Sequence, residues 1–266
     1  MTGLSSVDLT ELALHLAGVA LLWRLALSPA ARARPTEARL ARWEIAPLDF
    51  AVQLWGTLAA GFGLQLIVST AAQSAGLGGD TYLVVAAPAM PLGLLIACAG
   101  WRHLARATGG AVRFGGAFFR AGLATFLVTL PVVVVVALAW GLVLTAAGLP
   151  VAPQDLVNGF LRMESPALRA GLAFSAVVLA PFAEEWVFRG LLFRHARGRL
   201  PRWGALVLPA ALWASLHGLT AFAPLLALGI VLSLAYERTG NLAVPVLAHA
   251  LFNLNTLFVL LLDPPK

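Results

Sequence analysis

The chain has 266 residues, of which 60% are hydrophobic and 11% are charged, and its formal net charge at pH 7 is +6. A mean hydropathy of +0.88 lies far outside the range of soluble domains, so the composition excludes a soluble globular protein and predicts an integral membrane protein. Apart from Lys266, the basic residues other than histidine are all arginines, in short segments between apolar runs. This placement indicates membrane topology rather than nucleic-acid binding.

Eight apolar runs are candidates to cross the hydrocarbon core, which requires about 20 helical residues. We predict all-α spans at 8–28, 49–73, 82–101, 119–148, 167–194, 203–217, 221–237 and 242–262. The sixth run is short for a span. The first run is interpreted as a retained span, because Asp8 and Glu11 precede most of it and the first arginine is Arg24. A cleaved signal is the alternative.

Arginines are concentrated in alternate connections between these spans. The first, third and fifth connections hold Arg32, Arg34, Arg39, Arg42, Arg102, Arg106, Arg113, Arg197, Arg199 and Arg202. By contrast, residues 74–81 hold no lysine or arginine, and Arg162 in 149–166 is offset by two acidic residues. Because cytoplasmic loops are enriched in basic residues, this alternation predicts eight spans with both termini outside the cytoplasm. The single cysteine, Cys98, excludes an intrachain disulfide and a multi-cysteine metal site.

The stretch APFAEEWVFRGLLF, residues 180–193, places three charges in an otherwise apolar span. Glu185 and Arg189 stand four residues apart on one helical face, so they are predicted to form an ion pair. Glu184 points about 100° away and has no partner in its own helix. A carboxylate at membrane depth costs at least ~2.5 kcal/mol, which favours a functional role over a purely structural polar contact. Pro181 is expected to loosen the helix beside it.

Two more polar groups follow in the later spans. WASLH places Trp213 and His217 four residues apart, and HALFN places His249 and Asn253 one turn apart on one face. Each group also has a structural interpretation, since buried His and Asn residues form inter-helix hydrogen bonds of about 1 kcal/mol. Together with Glu184 they supply a carboxylate base, a histidine to share the proton and two N–H donors for an oxyanion. These are the groups that water-driven amide hydrolysis requires.

In order and approximate spacing, EEWVFR, WASLH and HALFN resemble the EExxxR, FxxxH and HxxxN signatures of the CPBP family of membrane proteases. That family includes the Ras-converting CAAX prenyl proteases and the bacterial Abi proteins. The resemblance covers about residues 165–260, and Trp213 stands where the family usually has Phe.

The resemblance implies an intramembrane endopeptidase in which Glu184, with His217, activates a water. His249 and Asn253 would hold the oxyanion. Glu185 and Arg189 would orient the first glutamate and brace the site, and Trp213 would keep an aromatic wall. The catalytic core would then lie in the last four to five spans, within residues 119–266, after three N-terminal spans in residues 1–118.

The family has been described as metal-dependent, and a glutamate-type mechanism without metal is the competing view. By number and type, Glu184, His217 and His249 could hold Zn²⁺. No metal is favoured, because the H-E-x-x-H spacing is missing and Asn253 is a poor ligand.

The expected partners are the lipid bilayer and a membrane-associated protein or peptide substrate, prenylated or not, in a bacterial cytoplasmic membrane. One alternative is a catalytically silent binding or immunity protein. Another is a proton-coupled transporter, although the inverted repeats which that class predicts are not found in the sequence.

Overall fold

The computed structural model describes residues 5–33, 38–40, 43–105, 112–151 and 155–262, without the side chains of residues 102–105 and 155–158. Arg34, Arg42 and Arg106 of the predicted cytoplasmic connections lie outside these ranges. The described structure is 84% helical and contains no strand, so the predicted all-α bundle is confirmed.

Thirteen α-helices occur in the described ranges. They are α1 Ser6–Leu22, α2 Pro29–Arg32, α3 Pro47–Ser74, α4 Gly79–Ala86, α5 Ala89–Ala105, α6 Gly116–Ala146, α7 Asp155–Arg162, α8 Pro166–Phe174, α9 Ala180–Glu185, α10 Arg194–Arg197, α11 Arg202–Ser215, α12 Leu219–Thr239 and α13 Ala243–Leu262. Three π-helical segments continue these helices, at Trp23–Leu27, Ser175–Leu179 and Trp186–Phe193. The second and third segments join α8, α9 and α10 into one long helix.

Seven helical stretches in the described chain are long and apolar enough to cross a membrane. They are Ser6–Leu27, Pro47–Ser74, Gly79–Trp101, Gly116–Ala146, Pro166–Arg197, Leu219–Thr239 and Ala243–Leu262. Each corresponds to one of the eight predicted spans. The remaining prediction, 203–217, coincides with α11, whose 14 residues give a helix of only about 21 Å.

Helices α11 and α12 form an antiparallel hairpin. Arg202, at the start of α11, donates to Glu237 in the last turn of α12 at 2.8 Å. At the other end of the hairpin, Gly218 adopts a left-handed φ of 83° immediately before α12, a conformation that favours glycine. The start of α11 and the end of α12 therefore lie at the same end of the bundle. Although α11 is short, the connections before and after the hairpin lie on the side that eight segments would give them.

The arginine-rich connections meet at one end of the bundle. The backbone N–H of Arg39 donates to the Glu237 carbonyl at 3.0 Å. The Asn241 amide donates to the Arg113 carbonyl at 2.8 Å, and Arg199 donates to the Ile45 carbonyl at 2.7 Å. The first, third and fifth connections, which the alternation of arginines places on one side, are thus neighbours, and the connection between α12 and α13 lies beside them.

Candidate active site

The long helix that carries Glu184 departs from α-helical geometry just before Pro181. In the π-helical turn Ser175–Leu179, the N–H of Ala180 bonds to the Ser175 carbonyl. The next bond in this register would run from residue 181 to the Ala176 carbonyl, but proline has no N–H. The Asn253 amide nitrogen, on α13, donates to that carbonyl at 2.8 Å instead. The predicted loosening at Pro181 is present, and Asn253 satisfies the carbonyl oxygen that the proline leaves without a backbone donor.

Glu185 and Arg189 form the ion pair that their spacing predicts. Arg189 Nη1 donates to Glu185 Oε1 at 2.7 Å, and the two side chains are 1% and 0% exposed. Arg189 Nη2 donates to the Gly229 carbonyl on α12 at 3.3 Å. Glu185 Oε1 has a second partner, His249 Nδ1, at 2.9 Å. A carboxylate oxygen can only accept here, so Nδ1 carries the hydrogen and the other ring nitrogen of His249 faces away from Glu185.

Glu184 points away from this pair and keeps 24% of its side chain exposed. Trp213 Nε1 donates to Glu184 Oε2 at 2.7 Å, and His249 Nε2 lies 4.0 Å from the same oxygen. His249 therefore lies between the two carboxylates, with one ring nitrogen towards each. Five of the predicted site residues thus form one contiguous cluster near the middle of the span Pro166–Arg197: Glu184, Glu185, Arg189, Trp213 and His249.

His217 lies beside this cluster, in the turn that follows α11. Its Nδ1 donates to the Trp213 carbonyl at 2.9 Å, which leaves Nε2 as the acceptor of the ring. The Trp213 ring centroid lies 5.1 Å from that of His217 and 5.3 Å from that of His249. His249 is the histidine that approaches Glu184, whereas the resemblance implied that His217 would. No hydrogen bond or ion pair joins His217 to Glu184 in the described structure.

The proposed zinc ligands do not converge on one point. Within the described ranges, no group of three or more His, Cys, Asp or Glu side chains could hold a metal ion. Glu185 accepts from His249 Nδ1 and the Trp213 carbonyl accepts from His217 Nδ1, so each ring retains Nε2, the nitrogen that could bind a metal.

A comparison with protein families identifies this part of the chain. The family model described as type II CAAX prenyl endopeptidase Rce1-like matches residues 166–255. Over these residues, about a third of the chain, the protein is similar to an Rce1-like domain. The match confirms the resemblance to the CPBP and CAAX proteases that the three motifs indicate. No curated protein and no solved structure gives a significant match to the chain.

The Rce1-like domain runs from the start of α8 to residue 255 in α13 and contains all three motifs. Its family supports an intramembrane endopeptidase of the CAAX type in general. Together with the seven candidate spans, the match makes the chain an integral, multi-pass membrane protein.

Two contacts inside the Rce1-like domain join residues too far apart in the sequence for helical spacing to predict them. One is the bond between Glu185 and His249, which are 64 residues apart. The other is the close approach of Gly229 to the site, where a Cβ atom would lie 2.8 Å from Ala210 Cβ and 3.1 Å from Arg189 Nη2. Glycine at this position lets α12 bring its backbone carbonyl to the arginine. An isolated glycine in an apolar helix was the only available signal for that contact.

Proposed function

We propose that the protein is an intramembrane endopeptidase that hydrolyses a peptide bond of a membrane-associated protein or peptide, with Glu184 as the base that activates water. The observation that carries the proposal is the Glu184–Trp213–His249–Glu185–Arg189 cluster at membrane depth. Each of these side chains has a polar, ring or ionic contact with another member, within a segment that matches a protease family.

Glu184 suits the role of base better than Glu185 does. Glu185 Oε1 already binds both Arg189 and His249, and the side chain is fully buried. Glu184 is partly exposed, and the Trp213 bond occupies only Oε2. In the proposed step, a water gives a proton to Glu184 Oε1 while its oxygen bonds to the carbonyl carbon and the C=O π electrons move to the carbonyl oxygen. Glu184 then returns the proton to the leaving amine as the C–N bond breaks.

The developing oxyanion needs N–H donors, and α13 offers two candidates. His249 donates Nδ1–H to Glu185, so a proton on Nε2 would turn the ring into an imidazolium with a second N–H donor. Glu185 would stabilise that imidazolium, as the aspartate of a Ser-His-Asp triad does for its histidine. Asn253 Nδ2 carries two hydrogens, and the Ala176 bond uses one of them. We assign His249 and Asn253 to the stabilisation of the oxyanion. We assign His217 Nε2 the role of a second proton acceptor, which approaches Glu184 when substrate binds.

The catalytic unit is proposed to begin before the matched segment, at α6. The Trp140 indole on α6 donates to the Leu219 carbonyl at 2.9 Å, two residues after His217. Gly122 lies against α13, where a Cβ atom would come within 2.6 Å of the Leu247 side chain. Helix α6 thus fastens the turn that holds His217 and packs on the helix that holds His249. These contacts support a unit that spans residues 119–266.

The test is cleavage by the purified protein in liposomes, with solubilised and reconstituted membrane proteins as the substrate pool. Sequencing of new N-termini is expected to find cleavage within or beside apolar segments. The same termini are expected after the protein is stripped of metal and assayed in chelator, because the proposed step uses protein side chains and water and no metal ion. Cleavage that persists with the Glu184→Ala protein would sink the proposal. Loss of cleavage in chelator and recovery with Zn²⁺ would replace the glutamate-type version with a metal-dependent one.

We further propose that the arginine-rich end of the bundle faces the cytoplasm of a bacterial cell and that both termini lie outside it. The only cysteine, Cys98, is buried, so Cys98→Ser gives a background without cysteine. Gly198 lies at the arginine-rich end, and Gly78 lies beyond the far end of α3. Gly78→Cys is expected to react with an impermeant maleimide on intact cells, and Gly198→Cys only after the membrane is opened. The reverse pattern would invert the topology.

A further inference from the structure

We infer that Trp213 is a positioning residue for the proposed base: its indole N–H fixes the Glu184 carboxylate so that Oε1 remains for the water. The inference rests on the proposed function and adds to it a role for Trp213 that depends on a single donated hydrogen, the indole N–H. The observation behind it is the 2.7 Å bond from Trp213 Nε1 to Glu184 Oε2. That distance lies at the short end of the range for an N–H donor bonded to an ionised acceptor.

The surroundings of Trp213 make this donor rigid. The side chain is only 1% exposed, and Trp213 packs in a core to which α5, α6, α9, α12, α13 and the π-helical segment after α9 also contribute. Arg189 Cζ lies 4.8 Å from the ring centroid, within the range of a cation–π contact. The His217 and His249 rings meet the indole at interplanar angles of 64° and 78°, the edge-to-face geometry that aromatic rings prefer. A ring held on several sides cannot turn its N–H away from Glu184 without disturbing these contacts.

Glu184 has few other means of orientation. Its own helix supplies no partner, and among the side chains that the structure describes the indole is its hydrogen-bond donor, with His249 Nε2 farther off at 4.0 Å. A carboxylate that rotates freely presents either oxygen to the water. A carboxylate with one oxygen bonded to a fixed donor presents the other, and a base held in the productive geometry is the arrangement that raises the rate of a proton transfer.

Ring and donor functions at position 213 can be separated. A phenyl ring would retain an aromatic surface towards Arg189 and both histidines, but it has no N–H to donate to Glu184. The bicyclic shape can be retained as well, by placing a benzothiophene side chain at position 213, where sulfur replaces the N–H. This isostere keeps the buried volume, so it isolates the hydrogen bond from packing.

The test measures kcat and KM for an internally quenched peptide built on a cleavage site found in the liposome experiment. Both Trp213→Phe and the benzothiophene isostere are expected to lower kcat by about 10- to 100-fold, the factor set by one hydrogen bond to a charged group. KM is expected to change less than threefold, because the bond orients the base and does not hold substrate. Trp203→Phe, on the exposed face of the same helix, serves as the matched control and is expected to retain wild-type kinetics.

Each outcome separates this inference from the proposed function. If the isostere cleaves with a kcat within twofold of wild type while Glu184→Gln is inactive, Glu184 is the base and the positioning role of Trp213 is wrong. If the isostere raises KM and leaves kcat unchanged, Trp213 contacts substrate instead, and the inference is also overturned. Full activity of Glu184→Gln would overturn the proposed function itself.

Discussion

The Glu184→Gln protein is expected to cleave its substrate about 10² to 10⁴ times more slowly than wild type, the range that general acid–base groups contribute. Glutamine keeps the shape of the side chain and an oxygen that can accept the Trp213 N–H bond. It cannot take a proton from water. The substitution therefore removes the proposed chemical step and leaves the contact that holds the side chain. The measurement is single-turnover cleavage in liposomes, which reports the chemical step separately from product release.

Two controls accompany this variant. Glu164→Gln removes an exposed carboxylate from the connection that precedes α8, and it is expected to leave the rate unchanged. Thermal unfolding of Glu184→Gln in detergent is expected to match wild type, because no buried charge loses its partner. If Glu184→Gln is slow and also unfolds at a lower temperature than wild type, its loss of activity is due to a damaged structure. One that cleaves at the wild-type rate would exclude Glu184 as the base.

Residues four apart on one helix were the most predictable part of the site. The Glu185–Arg189 pair follows from the helical repeat, and so does the divergence of Glu184 from it. The bond between Glu185 and His249 joins helices that are 64 residues apart in sequence. No periodicity within one helix contains that information. The same limit applies to the histidines, since the resemblance paired His217 with Glu184, whereas the packing of the helices brings His249 Nε2 to 4.0 Å from Glu184.

Hydropathy located the spans but not the backbone geometry within them. Seven predicted spans correspond to helices long enough to cross a membrane, because an apolar run of sufficient length is the physical requirement itself. The apolar run 203–217 already indicated a sixth helix too short for a span, whereas the π-helical turn before Pro181 depends on how the helices pack. Proline gave a local signal for the second feature, since its missing N–H interrupts the hydrogen-bond ladder. Nothing in the sequence indicated that Asn253 would supply the replacement donor.

The Arg189→Ala protein is expected to lose about 3–5 kcal/mol of unfolding free energy, the range measured when one partner of a buried ion pair is removed. Glu185 would remain fully buried with His249 as its partner on Oε1, and Oε2 has no hydrogen-bond partner in the described structure. The Trp213 ring would also lose its cation, and the Gly229 carbonyl would lose one donor. Equilibrium unfolding in mixed detergent micelles measures the loss.

The matched control is Arg197→Ala, which removes one of two arginines from another buried carboxylate, Glu237. Arg197 is 33% exposed and Arg202 still binds Glu237, so the expected loss is only about 1 kcal/mol or less. Combining Arg189→Met with Glu185→Gln removes both buried charges and is expected to recover part of the stability lost in Arg189→Ala. If Arg189→Ala has the same unfolding free energy as wild type, the ion pair with Arg189 does not offset the cost of burying Glu185.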